Sequence, residues 1–578
     1  MALDRKQVAA VLDQIGTLLE LKGENPFKAR AYAMAARTLE ALGEDLAVLI
    51  REERLGDLKG IGAALAEKIA TLATTGSLPY YEDLKREIPA GLLEMIQIPG
   101  LGPKRARALH DRLGIESVEE LEYACRQDRL SEAAGFGPRS QKKILQGIAF
   151  LRRQVGYGLL SEATALGEEL LARLSQVTAV RRCQVAGSLR RRKEVVRDID
   201  LLASHKKAAS PQTIIKAFTS FAGVAEVLAA GETKASVRMA SGRQVDLRVV
   251  SDEEYPFALH YFTGSAEHNI ALRRRAQALG YKINEYGLWK GQRRIPCKDE
   301  SEIFRTLGLA FIPPELREDW GEIEAAEAGR MPRLVEASDI QGVFHVHSSY
   351  SDGTDSLEAM VKRCAEIGYS FVGISDHSRS AGYAGGLSLE RVEQQRSEIQ
   401  GLRRRYRGIS ILHGTESDIL RDGSLDYPRD VLERFDFVVG SVHGQFTLSE
   451  EEQTRRVVKA LQDPCLTILG HPTGRLLLQR EGFPLDMDQV LAAAGRAGKF
   501  VELNANPHRL DLDWRACRRA KEAGVKVSVN PDAHSAEGLD DTRYGVDGAR
   551  RGWLEANDLV NTRPWERIRE MMSRRRSA

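Results

Sequence analysis

Seven apolar runs in the second half of the chain constrain its fold more than any other feature. GVFHV, SFVGIS, ISILHG, FDFVVG, LTILG, FVELN and VKVSVN recur from residue 342 onward, separated by stretches with helical spacing such as SLEAMVKRCAEIG and MDQVLAAAGRAG. Strands that are near-continuously apolar are covered on both faces, as in a parallel sheet whose crossovers are helices. The alternation predicts a parallel α/β barrel within residues 339–578.

Residues with metal-ligand chemistry stand at or just past the ends of these runs. They are His345, His347 and Asp352 in HVHSSYSDG, His377 in SDHS, Glu416 in GTES, His443 in SVHG, His471 in GHPTG, and Asp532 and His534 in NPDAHS. The C-terminal ends of barrel strands are where catalytic groups collect. A single histidine beside a strand is more often structural than a ligand. Six of the twelve histidines placed this way, with carboxylates alongside, read as a multinuclear site for Zn²⁺ or Mn²⁺. His345 and His347, two apart, face one way on a strand, as chelation needs.

The stretch GSLRRRKEVVRDID, residues 187–200, sets the chemistry of the middle third. Gly187 and Ser188 follow an apolar run and precede a basic helical segment, where free backbone N–H groups favour a triphosphate. Asp198 and Asp200 face the same way on a strand and offer oxygen ligands for Mg²⁺ or Mn²⁺. Asp246, in RQVDLRVV, adds a third carboxylate among apolar residues, where an unpaired charge is costly. An isolated Asp-x-Asp is more often a solvated turn. Three aspartates on two strands suit two ions about 3.5–4 Å apart, the clamp for in-line phosphoryl displacement. Residues 181–197 carry seven basic side chains against the single Glu194, which predicts polyanion binding. Further on, Tyr261 and Phe262 precede the turn 263–265 and a polar, basic helix, positions suited to a base or sugar.

Residues 3–50 show helical periodicity. Three Gly-x-Gly units follow, Gly60 with Gly62, Gly100 with Gly102, and Gly135 with Gly137, each leading into a helix. A tight turn, an open helix N-terminus and the charges of Lys104, Arg105, Lys142 and Lys143 suit a DNA phosphate without reading sequence. One such unit alone would be only a turn; the repetition resembles helix-hairpin-helix motifs. Lys68, on the helix after the first hairpin, would form a Schiff base with an abasic sugar if its pKa were lowered.

Composition narrows the class. At 578 residues, a soft prior gives three to four domains. The chain is 42% hydrophobic and 29% charged, as soluble globular proteins are, and no apolar run is long enough to cross a membrane. MALDRKQVAA lacks a signal-peptide pattern, and the six cysteines form no Cys-x-x-Cys, so a cytoplasmic location is expected. Residues 312–338, Pro-rich at first and then acidic, read as a partly helical linker.

GSLRRRKEVVRDID, VDLRVV and YFTGSAEHN, in that order after Gly-rich hairpins, resemble an X-family DNA polymerase of the beta type over residues 1–317. The resemblance implies a multidomain α+β and α/β chain. It gives a helical lyase-like domain over 1–85, further helix-hairpin-helix and fingers-like structure over 86–155, a nucleotidyltransferase palm over 156–258, and a thumb-like nucleotide-binding subdomain over 259–317. Asp198, Asp200 and Asp246 would hold two catalytic metals. Gly187, Ser188 and Arg191 would bind the triphosphate, and Tyr261, Phe262, Gly264, Asn269 and Arg273 would contact sugar, base or template. Lys68 matches the family's lyase lysine. Arg192 and Gln244 depart from the beta-type pattern, which has a glycine and a basic residue there.

After a linker at 318–338, residues 339–570 resemble the polymerase-and-histidinol-phosphatase (PHP) domain, which implies a distorted seven-stranded barrel with up to three Zn²⁺ or Mn²⁺ ions. One ion would be held by His345, His347, Glu416 and Asp532, a second by Glu416, His443 and His471, and a third by Asp352, His377 and His534. Joined to an X-family polymerase, such a barrel implies a 3′–5′ exonuclease and an abasic-site endonuclease. The expectation is a monomeric DNA-directed polymerase that fills gaps in base excision repair, taking gapped or primer-template DNA and deoxynucleoside triphosphates. Two alternatives stay open: a DNA-tethered phosphoesterase and a non-enzymatic DNA-end scaffold.

Overall fold

The computed structural model describes residues 3–40, 42, 46–58, 60–132, 135–154 and 156–576. The chain forms two compact units, Met1–Val155 and Gly156–Ala578. No helix among the described residues is long and apolar enough to cross a membrane.

The first unit is helical. Asp4 and Gln7 form a reciprocal capping box at the start of Arg5–Lys22, and Gly23, at φ 72°, ends that helix in the left-handed conformation. Its apolar face, with Leu12, Ile15 and Leu19 buried, belongs to one core with Tyr32, Ala36 and Leu39 of the helix Pro26–Glu40. All three Gly-x-Gly units form tight turns ahead of the helices Ala63–Thr75, Pro103–Leu113 and Pro138–Gln154.

In the second unit, a five-stranded sheet occupies the region expected to be the palm, in the order Val180–Val185, Asp198–His205, Gln244–Val250, Lys234–Met239, Val224–Ala230. Only the pair Asp198–His205 and Gln244–Val250 runs parallel. Val224–Ala230 is an edge strand that sequence reading missed. Most of its residues are exposed on both faces, so its Ala-rich sequence shows no alternation to find. Next come the helices Tyr255–Thr263 and Ala266–Ala278, a three-stranded sheet and the helix Glu300–Thr306, packed on Phe257, Leu272, Phe304 and Leu307.

The stretch read as a partly helical linker carries the helix Glu322–Glu327 and is packed. Leu316, Ile323, Ala326 and Leu334 join that same core, with Trp553 of the barrel. Its acidic side chains have internal partners: Glu315 with Arg550 at 2.8 Å, Glu318 with Arg191 at 3.1 Å, and Glu322 with His268 at 2.7 Å. Those partners come from distant sequence, where composition cannot show them.

All seven apolar runs become parallel strands, paired in chain order. A bridge between Val346 and Ala533 joins the first strand, Gly342–Val346, to the loop after the last, Val527–Asn530, and His347 N–H donates to Ala533 C=O at 2.9 Å. Helices cover the outside, against Val343, Val372 and Val501. Inside, Phe344, Phe371, Phe437 and Phe500 pack with Ile568 of the last helix, Trp565–Arg576, which closes the floor. Leu510 and Tyr544 of the barrel lie in the palm's own core with Leu201 and Leu247.

Candidate active sites

The barrel ligands converge on Glu416, which is fully buried in the strand Ser410–Asp418. Its Oε1 lies 3.3 Å from His345 Nε2, 3.2 Å from His443 Nε2 and 3.0 Å from His471 Nε2. Its Oε2 lies 2.9 Å from His377 Nδ1 and 3.6 Å from His347 Nε2. Asp532 Oδ1 stands 3.5 Å from His345 Nε2 and 3.2 Å from His347 Nε2. Asp352 Oδ1 stands 3.6 Å from His377 Nε2 and 3.3 Å from His534 Nε2. All nine residues singled out in the sequence therefore meet in one cluster.

Four groups within it have ligand atoms within 4.8 Å of one another: His347, Asp352, His377 and His534; His345, His471 and Asp532; His345, His347 and Glu416; His377, Glu416 and His443. The donor set fits divalent ions. His345 Nε2, both ring nitrogens of His347, His377 Nδ1 and Glu416 Oε2 are buried without a hydrogen-bond partner, an arrangement that is costly unless something binds them. Burial and the neighbouring His534 and His377 push the His347 pKa down to about 3, so its ring is neutral and ready to ligate. For His345, burial acts downward, but Glu502, Asp532 and Glu416 outweigh it and raise the pKa well above the usual histidine value.

Sequence reading missed the residues that hold these ligands. Glu502 accepts from His345 Nδ1 at 2.7 Å and from the His471 backbone N–H at 2.7 Å. Asp418 lies 2.6 Å from His443 Nδ1. Asp376 accepts from the Ser348 N–H at 2.8 Å, from its hydroxyl at 2.7 Å and from Gln395 at 2.5 Å, pinning the loop that leads to Asp352. Such partners fix the tautomer and orientation of metal ligands. The available signal was a carboxylate inside a buried strand, as Glu502 is in FVELN.

In the palm, Asp198 and Asp200 start the strand Asp198–His205, and Asp200 lies directly opposite Asp246 on the parallel neighbour. Burial, then the charges of Asp198 and Asp246, pushes the Asp200 pKa up to about 7, the mark of carboxylates gathered where a cation is wanted. Asp246 accepts from Ser236 Oγ and, at 3.0 Å, from Gln244 Nε2, so Gln244 stands in for a basic supporter. The trio is not among the groups closed to within 4.8 Å.

Gly187 opens the short helix Gly187–Arg190 at φ 59°, and a Cβ there would stand 2.0 Å from Asp200 Oδ2. Glycine is thus required both for the turn and for the close approach of Asp200. The basic run after it is not the open polyanion face expected. Arg190 pairs with Glu300 at 2.5 Å, Arg191 with Glu318 at 3.1 Å, Arg192 with Asp547 at 3.6 Å, and Arg181 and Arg182 with Asp252 at 3.0 and 2.7 Å. These acids lie far away in sequence, so the run read as unpaired.

Tyr261 and Phe262 lie in the last turn of Tyr255–Thr263, just ahead of the Gly264–Ser265 connection to the next helix, and Arg248 stacks on Phe262 at 4.6 Å. Asn269 donates to the Tyr261 carbonyl at 2.8 Å, and Arg273 donates to the Asn269 carbonyl at 3.2 Å. Together with Ile283 and Asn284 they line a small pocket. A Cβ on Gly264 would stand 2.9 Å from the Arg191 guanidinium.

In the helical unit, Gly60, Gly100 and Gly135 have φ of 88°, 82° and 91°. Gly62 and Gly102 cap the following helices without any side-chain hydrogen bond, which leaves the helix N–H groups open. Lys104 and Lys142 are exposed beside these turns, but Arg105 is not free: it donates to Gly100 C=O at 2.7 Å and to Ser140 Oγ at 3.2 Å, and stacks on Phe136 at 4.7 Å. Lys68 Nζ lies 5.4 Å from the Tyr80 ring, as does Lys28 Nζ.

Comparison with known proteins follows the same divisions. Family models match at residues 4–78 (helix-hairpin-helix domain), 92–149 (SAM-like helix-hairpin-helix tandem), 258–318 (DNA polymerase beta thumb) and 344–506 (PHP domain). The chain is 36% identical over 578 residues to the DNA polymerase/3′-5′ exonuclease PolX of Bacillus subtilis (strain 168), covering 99% of this chain and all of that protein. It is 30% identical over 189 residues to a probable phosphatase of Thermoanaerobacter sp. (strain X514), covering 29% of this chain and 74% of that protein.

Proposed function

The chain belongs to the PolX family of DNA polymerase/3′–5′ exonucleases, and we propose that it fills short gaps in duplex DNA during cytoplasmic base excision repair and trims 3′ ends at the barrel. The pairing of Asp200 with Asp246 on parallel strands, directly behind Gly187, carries the polymerase reading. The facing pair Asp200 and Asp246, with Asp198 two residues before Asp200 and Gly187 against Asp200, supports a carboxylate site beside the triphosphate cradle.

In this reading, Asp198, Asp200 and Asp246 hold Mg²⁺ or Mn²⁺, and the nine barrel residues hold up to three Zn²⁺ or Mn²⁺ ions. Divalent ions, when bound at the two sites, would supply Lewis acidity toward an oxygen nucleophile and offset negative charge on the phosphate oxygens. The chain's own residues orient the reactants. Ser236 and Gln244 fix the Asp246 carboxylate, Gly187 and Ser188 offer backbone N–H groups to the triphosphate, and Arg191 carries positive charge beside it. Tyr261, Phe262, Asn269 and Arg273 shape the side where sugar and base lie. In the barrel, Glu502 and Asp418 set the ring nitrogens that face the ions, and the same cluster serves incision at abasic sites. The open N–H groups of the hairpins hold the duplex backbone.

The test is a labelled gapped duplex incubated with Mg²⁺ or Mn²⁺, with and without nucleotides. Asp198→Asn is expected to abolish extension while shortening persists. His345→Ala combined with Asp352→Ala is expected to do the reverse. Wild-type extension by Asp198→Asn would refute the polymerase assignment. Release of phosphate from a small monoester without any extension would instead favour a tethered phosphoesterase, the reading that the similarity to probable phosphatases supports.

A further inference from the structure

The loop after the phosphate cradle is held from outside the palm. Arg551, 2% exposed at the end of the barrel helix Thr542–Arg551, donates to the backbone carbonyl of Arg191 at 2.5 Å and to Glu318 Oε1 at 3.2 Å. Glu318 Oε1 also accepts from Arg191 Nε at 3.1 Å. One barrel guanidinium thus secures both the main chain of Arg191 and the carboxylate that fixes its side chain. The Arg191 carbonyl follows the four-residue helix Gly187–Arg190, where the last carbonyls lack helical partners and need another donor.

Two more barrel residues grip the same loop. Arg475 donates to Glu194 Oε1 at 2.8 Å, and Asp547 Oδ1 lies 3.6 Å from Arg192 Nε. Tyr544 and Leu510 seat this contact in the palm's apolar core. The held residues, 191–194, lie between Gly187–Ser188 and the aspartates Asp198 and Asp200. A shift of the loop therefore moves one side of the nucleotide pocket against the other.

We propose that Arg551 is a positioning residue for nucleotide addition: the nuclease barrel shapes the polymerase's nucleotide pocket by holding residues 191–194. This rests on the reading of 187–191 as the triphosphate pocket. Arg551 touches no reacting atom. Its loss acts through Arg191, so it weakens nucleotide binding more than it slows the chemical step.

The test uses the full chain on a one-nucleotide gap, measuring single-nucleotide incorporation against nucleotide concentration. Arg551→Met is expected to raise the nucleotide KM about tenfold, the cost of a charge-assisted hydrogen bond, with kcat changed less than about threefold. Arg551→Lys is expected to recover part of that loss. The 3′–5′ exonuclease rate on the same duplex is expected to stay at the parent level, which also shows that the barrel has folded. If Arg551→Met loses exonuclease as well, Glu318→Gln breaks the same link from the other side and is read for the same KM. An unchanged KM in folded variants overturns the inference. Asp198→Asn, run in parallel, separates the two claims. Normal extension by that variant defeats the pocket reading, whereas lost extension with an unchanged Arg551→Met KM defeats only the positioning role.

Discussion

Glu502 accepts from Nδ1 of His345 at 2.7 Å, and so decides that Nε2 is the nitrogen His345 turns toward Glu416 and Asp532. Glu502→Gln keeps the shape but removes the charge. We expect metal retention and exonuclease rate to fall about 10–100-fold, with primer extension unaffected. Metal content after dialysis and a 3′-shortening assay check this; full metal retention would show that Glu502 plays no orienting part.

Gly187→Ala places a methyl 2.0 Å from Asp200 Oδ2 at a φ of 59°. Either the backbone or Asp200 must move. A misplacement of that size near the reacting groups costs roughly 100-fold. Extension should drop by about that factor while exonuclease and duplex binding persist. Undiminished extension would mean that Asp200 does not need its present place.

Asp547 is largely shielded from solvent beside Arg192, and loss of solvation pushes its pKa from 3.8 up to about 6. Between those values the folded chain holds the proton more tightly than the unfolded one, so stability falls as pH rises through the window. Asp547→Asn removes that loss. The variant should exceed the parent in stability by on the order of 2 kcal/mol at about pH 8 and show no gain at about pH 4. Urea midpoints at both values decide it, and equal differences at the two would count against the assignment.

Lys104 and Lys142 are exposed beside the second and third Gly-x-Gly turns. Each substitution by alanine should weaken duplex binding equally for all sequences and reduce the salt-dependence slope by about 1. Arg105→Ala should behave differently, because Arg105 ties the second hairpin to Ser140 and Phe136. It should lower the melting temperature as well as the affinity. A purely electrostatic loss for Arg105→Ala would contradict that packing role.

Much of this molecule is readable in its sequence, for a physical reason. Strands covered on both faces must be apolar throughout, so all seven barrel strands announce themselves, and their polar ends single out the residues from His345 to His534 that cluster in the fold. Asp198, Asp200 and Asp246 are legible because carboxylates rarely sit in such strands. Partnerships across long sequence separation are not legible. Nothing in RRRKE tells that Arg190 meets Glu300 or that Arg191 meets Glu318, so a folded ion-pair network looks like an open basic face. The partners of Glu315, Glu318 and Glu322 are hidden in the same way. The edge strand Val224–Ala230 escapes because, without a buried face, it carries no pattern.

The last helix, Trp565–Arg576, seals the floor on which Phe344 packs, one residue before His345. A growing polypeptide reaches the solvent from its N-terminus first. The hairpins and the palm strands are therefore free of the ribosome well before the barrel's floor can be completed. A chain that ends before Trp565 therefore has every residue of the cluster but lacks Ile568, the side chain that packs beneath Phe344.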